Sequence, residues 1–203
     1  MKNKIIKRSK MIIISGIAMA LTLTGCSLFP AVTDSRSSID PDSPYTSIGT
    51  CLTVHNTDER LTLHDNMDTL SSDGLYYASW TAGNAEPYEN SDKDTIDLYD
   101  AQLYLLLGEY GSTETAQANI DEWLEAGQNS YRVTDEETIT CGEQVYTVIT
   151  YDFVNESNPF ARGVSAFGVI GSNAVCVELT CREQYDEDLK EMLITFLNGC
   201  TYS

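Results

Sequence analysis

The sequence predicts an α+β domain: an antiparallel sheet of about six strands with a helix on each face. Three observations carry it. Short segments rich in β-branched and aromatic residues recur between Gly/Ser/Asn turns, as in 144–153 (QVYTVITYDF). Two segments have helical spacing instead: Ala116, Ile120, Trp123 and Leu124, and later Leu189, Met192, Leu193, Phe196 and Leu197. The second of these closes the chain after a run of strands joined by short turns, which makes that run an antiparallel meander.

In chain order, residues 51–56 and 74–81 (GLYYASWT) read as strands, with Ser72-Asp73-Gly74 as turn chemistry before the second. Residues 57–71 fit no single period. Residues 84–94 (NAEPYENSDKD) read as a polar loop, and 96–99 and 102–109 (QLYLLLGE) as two strands. The second of these is almost continuously apolar and therefore central. A helix follows Gly111-Ser112-Thr113, with Ser112 or Thr113 as cap, Glu114 where the dipole favours an anion, and Gly127 at C′. Strands are expected at 131–134, 137–140, 144–153, 163–170 and 174–181, with turns at Cys141-Gly142-Glu143 and Gly171-Ser172-Asn173. The closing helix is expected over 186–198, started by Asp186, Glu187 and Asp188.

The mid-chain amphipathic helix, the hairpin TITCGEQVYTV at 138–148 and the closing amphipathic helix together resemble the PsbP-like α/β/α sandwich over about residues 48–203. The resemblance implies a scaffolding or assembly protein and no particular binding residue. A cystatin-like sheet wrapped on one helix is the alternative architecture.

Ahead of this domain the chain changes character. The full sequence has 203 residues, with 12 Lys+Arg against 31 Asp+Glu and a net charge of −19. Residues 1–25 hold five of the bases and no acid, so the remainder carries seven bases, 31 acids and a charge of −24. A basic stretch at 1–10 precedes an apolar stretch of 13 residues at 11–23 (MIIISGIAMALTL), which is too short to span a bilayer. Then comes Leu23-Thr24-Gly25-Cys26. This resembles the lipobox of bacterial lipoproteins. The resemblance implies cleavage after Gly25, a diacylglycerol on the Cys26 thiol, and a 178-residue mature form on the outer face of the cytoplasmic membrane. Residues 26–47 are rich in Ser, Asp and Pro and read as a lipidated flexible tether, and 48–203 as one domain.

The acidic balance argues against nucleic acid, whose phosphates require clustered Lys and Arg. The motifs of hydrolases and phosphate binders do not occur. Gly163-Val164-Ser165-Ala166-Phe167 begins like a nucleophile elbow but ends in Phe and lies within a strand pattern. The two histidines, His55 and His64, have no CxxC or HxH partner, and no cofactor is expected. Asp92, Asp94, Asp97 and Asp100 supply spaced oxygens of the kind Ca²⁺ takes, without the Gly and terminal Glu of an EF-hand. Tyr76, Trp80, Tyr88 and Tyr99 gather around that acidic stretch as candidate binding aromatics. Beyond Cys26 five cysteines remain, an odd number, and strand direction favours a Cys141–Cys200 disulfide with Cys181 far away. The function expected is a non-enzymatic, membrane-tethered module that binds an envelope protein, a glycan or a cation, or assists assembly. The alternative is a carboxylate-based envelope hydrolase, which needs two carboxyl groups roughly 5–10 Å apart in a cleft.

Overall fold

A computed structural model describes residues 43–67, 74–89, 93–155 and 158–203. The leader, Cys26 and Asp92 lie outside the described residues. Among the described residues ten strands, β1 to β10, and two helices, α1 and α2, follow one another.

β1 (Tyr45–Ile48), β2 (Leu52–His55) and β10 (Cys200–Tyr202) form a small antiparallel sheet in the order β1-β2-β10. Tyr45–Ile48 lies across the end of the stretch whose composition suggested a tether, and there it pairs with β2; the Tyr45 N–H donates to Ser43 Oγ just before it. β10 has only three residues, too few for any period to announce it.

The main sheet has seven strands in the order β3-β4-β5-β9-β8-β7-β6. They are β3 (Thr62–Met67), β4 (Leu75–Glu89), β5 (Thr95–Glu109), β6 (Tyr131–Cys141), β7 (Gln144–Phe153), β8 (Arg162–Ile170) and β9 (Asn173–Cys181), and every neighbouring pair is antiparallel. Three expectations change here. The polar stretch 84–94 is largely strand, because β4 runs on to Glu89 opposite β5. Its far part pairs with β5 in a two-stranded ribbon, and from Gly83 to Glu89 no side chain of β4 is buried, so no apolar alternation marks it. The stretches 96–99 and 102–109 are one strand, as are 131–134 and 137–140, the latter kept continuous by a register shift between Val133 and Asp135.

The ribbon meets the sheet at Gly83, whose φ of +76° only glycine adopts without strain. A Cβ there would stand 2.6 Å from the Asp100 side chain. Glycine thus lets the Asp100 carboxylate approach and accept the Asn84 N–H at 2.7 Å.

α1 (Thr113–Gly127) is capped by Ser112, whose hydroxyl accepts the Thr115 N–H. Gly127 is not the C′ residue expected. It is the last helical residue, and the Tyr131 phenol lies where its Cβ would be, so the glycine is a seat for a ring rather than a left-handed cap. α2 (Leu189–Asn198) begins at its Asp188 cap, which accepts from Lys190 and Glu191 N–H, rather than at Asp186.

Each helix covers alternate residues of the same strands. α2 brings Met192, Leu193, Phe196 and Leu197 into a core with Trp80, Leu103, Leu105, Leu107, Val177 and Leu179. α1 brings Ala116, Ile120 and Trp123 onto Tyr77, Leu106, Ile149, Phe167, Ala174 and Cys176. Because strand side chains alternate, these sets lie on opposite faces of the sheet. The class is α+β, with two helices among the described residues where the cystatin-like alternative has one.

Candidate functional site

The α1 face of the sheet is apolar only in part. Two adjacent rows beyond the helix are polar. In one row Ser79 pairs with Tyr104, Tyr104 with Glu178, and Glu178 with Ser165. In the next, Thr81 pairs with Gln102, Gln102 with Thr180, Thr180 with Gly163, and Gly163 with Tyr151. Directly opposed side chains have Cβ atoms about 4.5–5.5 Å apart, so these rows form one continuous patch.

Glu178 is its centre. Tyr151 reaches it from two strands away by lying across Gly163, where a Cβ would stand 2.6 Å from the phenol oxygen and its ring carbon. Its hydroxyl donates to Glu178 Oε1 at 2.5 Å, and Ser165 Oγ donates to the Tyr151 oxygen at 3.2 Å. The Tyr151 ring is fixed by stacking on Tyr131 at 4.1 Å and by an edge contact with Phe153 at 5.4 Å. Across β5, the Tyr104 hydroxyl donates to Gln102 Oε1 at 2.9 Å. Thr180 is only 2% exposed, and its hydroxyl has no hydrogen-bond partner.

Burial raises the Glu178 carboxyl above its ordinary range, and the bonds from Tyr151 and Ser165 pull back against it. Burial and then the Glu178 charge push the phenols of Tyr104, Tyr131 and Tyr151 up as well, so all three stay protonated near neutrality. The Cys176 thiol rises for the same two reasons. The site is a carboxyl group surrounded by neutral hydroxyls. It can accept a proton or hold a cation.

The buried acids Asp58 and Asp100 differ from it. Asp58 receives Arg60 Nη2 at 2.7 Å and Nε at 2.8 Å, and Arg60 also holds Glu187 and Glu191. These bonds hold the Asp58 carboxyl below its usual range. Asp100 accepts from Asn84 and from Gln184 Nε2 at 3.1 Å, with Arg182 at 3.9 Å. Among the described residues no Lys or Arg pairs with Glu178.

The residues singled out in the sequence do not converge on this patch. Asp100 is committed as above, Asp97 lies on the ribbon opposite Pro87, and Asp94 precedes β5. Among the described residues no three His, Cys, Asp or Glu side chains group as a metal site. Trp80 is buried on the α2 face, edge-on to Phe196 at 4.7 Å, and Tyr76 packs against the same core. Tyr99 meets His64 edge-on at 5.6 Å, His55 stacks on Tyr45 at 4.6 Å, and Tyr88 is on the ribbon. Ser165 bonds a phenol, not an imidazole. Cys51, Cys141, Cys176, Cys181 and Cys200 are all free thiols, so the Cys141–Cys200 bond is not formed in this structure. Burial, with Cys141 adding to it, pushes the Cys200 thiol up to about 12. Glu178 itself was missed, although a lone Glu in the apolar run AVCVELTC at 174–181 was a visible signal.

No protein-family model matches the sequence, and no curated protein matches it. A solved structure it is similar to is the solution structure of cyanobacterial PsbP (CyanoP) from Synechocystis sp. PCC 6803. The identity is 13%, the match covers 71% of this chain and 93% of that one, and the TM-score is 0.38. A likeness of that size says nothing about what this chain binds.

Proposed function

We propose that the chain is a bacterial lipoprotein, anchored by diacylglycerol on Cys26 at the outer face of the cytoplasmic membrane, and that its domain is a non-enzymatic binding or assembly module. The carrying observation is Leu23-Thr24-Gly25-Cys26 placed directly after a basic stretch and a 13-residue apolar stretch. Two acyl chains anchor stably where one binds marginally. Among the described residues no helix is long and apolar enough to cross a membrane. The domain follows with its first strand at Tyr45. Two helices on opposite faces of an antiparallel sheet favour the PsbP-like sandwich as its architecture.

The binding reading is favoured over the hydrolase by the surroundings of Glu178. Its hydrogen-bond partner is the Tyr151 phenol, which in turn accepts from Ser165, whereas a glycosidase-type pair needs a second carboxyl facing it. The anchor is tested by feeding cells labelled palmitate and fractionating them. Wild-type chain is expected to carry label and sediment with membranes, and Cys26→Ala to carry none. Equal labelling of the variant would overturn the anchor.

A further inference from the structure

Buried carboxylates are normally paired with a cation or a metal. Asp58 and Asp100 obey this rule with Arg60 and Arg182, and the half-buried Glu178 has no Lys or Arg partner among the described residues. Its neighbours donate in a definite pattern. The Tyr151 proton goes to Glu178 Oε1, and the Tyr104 proton goes to Gln102, which leaves the lone pairs of the Tyr104 oxygen directed elsewhere. Thr180, two residues along on the same face, keeps a buried hydroxyl with no partner. Glu178 and Tyr104 are each half-buried, so the patch meets solvent at its centre.

We propose that this patch binds a primary ammonium group of a small amine. An ammonium offers three N–H donors and no acceptor. The patch offers three kinds of oxygen acceptor: the Glu178 carboxylate, the Tyr104 hydroxyl opposite it, and the Thr180 hydroxyl in the adjacent row. One carboxylate with neutral oxygens suits a monovalent cation. Ca²⁺ takes 6–8 oxygens, several of them from carboxylates. The charge of −24 outside the leader raises the local concentration of any cation. This deepens the binding reading above and is independent of the lipid at Cys26, so a failed palmitate experiment would leave it standing.

The test uses the purified full chain in detergent, titrated with n-propylammonium while NMR follows the Glu178 carboxyl and the Thr180 methyl. Both signals are expected to shift saturably. Glu178→Gln is expected to weaken binding by at least about tenfold and Thr180→Val by less, with helix and Trp80 signals unchanged as evidence of folding. Tetramethylammonium, which has no N–H, is expected to bind at least about tenfold more weakly. Absence of a saturable shift, an unchanged titration in Glu178→Gln, or equal binding of tetramethylammonium would each overturn the proposal. Should Glu178→Gln fail to fold, Thr180→Val and the tetramethylammonium comparison decide alone.

Discussion

Strand β9 presents Val175, Val177, Leu179 and Cys181 to α2 and Ala174, Cys176, Glu178 and Thr180 to α1. The first set belongs to a continuous apolar layer, and Met192, Leu193 and Phe196 complete it with no exposed surface. The second is apolar only under α1 and turns polar where the helix no longer covers it. The contrast teaches how one strand serves two purposes. Its odd positions secure the fold by burial, and its even positions carry a carboxyl group that the fold does not need for packing. Stability and chemistry are therefore separable by parity, and substitutions on the two faces should behave differently.

The largest effect is expected on the α2 face. Phe196→Ala removes a fully buried ring that meets Trp80 edge-on at 4.7 Å. Loss of a buried Phe costs about 3–5 kcal/mol. Urea unfolding should show that loss, and a change below about 1 kcal/mol would contradict the sealed layer.

Next comes the corner where the 56–61 loop meets α2. Arg60→Ala leaves the Asp58 carboxylate, 5% exposed, without its guanidinium and releases Glu187 and Glu191. Removing one partner of a buried ion pair costs about 3 kcal/mol, somewhat less where the arginine is partly exposed, as here. Denaturant midpoints of Arg60→Ala and Arg60→Ala/Asp58→Asn test this. The second change should recover part of the loss, because it removes the unpaired charge.

Tyr151→Phe should do less. It deletes the hydroxyl that donates to Glu178 and leaves the ring on Gly163 and Tyr131. A buried acceptor left without its donor costs about 1–3 kcal/mol, and the half-buried Glu178 should sit at the low end of that. Glu178 and Asp58 separate by pH. Glu178 is raised above the ordinary 4.5, so the folded state holds a proton the unfolded chain releases. Its stabilisation is present below pH 4.5 and is lost as pH rises through the folded value. Asp58 is lowered below 3.8, so its contribution is present above that and lost as pH falls through the folded value. Glu178→Gln should flatten the stability curve above pH 4.5 and leave the acid limb in place. Flattening of the acid limb instead would reverse the assignment.

The sequence made the α2 face legible and hid the patch, for one physical reason. Burial writes periodicity, so Leu189, Met192, Leu193, Phe196 and Leu197 announced their helix and 144–153 announced β7 to the residue. Where burial is absent or lies on both sides, the pattern fails. The ribbon beyond Gly83 read as a loop because Glu86, Pro87 and Glu89 have no core to face. Tyr45, Thr46 and Ser47 read as tether because their order comes from β2, not from their own composition. Glu178 was obscured by the many acids around it, since 31 carboxylates make a single one unremarkable until register places it inside a strand. Tyr151 could not be paired with it by spacing, because the contact crosses a whole strand and depends on Gly163 having no side chain.

The smallest expected effect lies at the rim of the α2 face. Lys190 reaches from α2 to Glu137 and, at 3.7 Å, to Asp135 on the edge strand β6. These acids raise the Lys190 ammonium above its ordinary range, which gives the pair a direction but little energy, because all three groups meet solvent. Exposed ion pairs contribute about 0–1 kcal/mol and weaken with salt. Lys190→Ala should therefore lower stability by less than about 1 kcal/mol at low ionic strength, and the difference from wild type should vanish in high salt. A larger loss that persisted in salt would place the Lys190 contact with the buried layer, and the face sealed by Phe196 would then extend to the edge of the sheet.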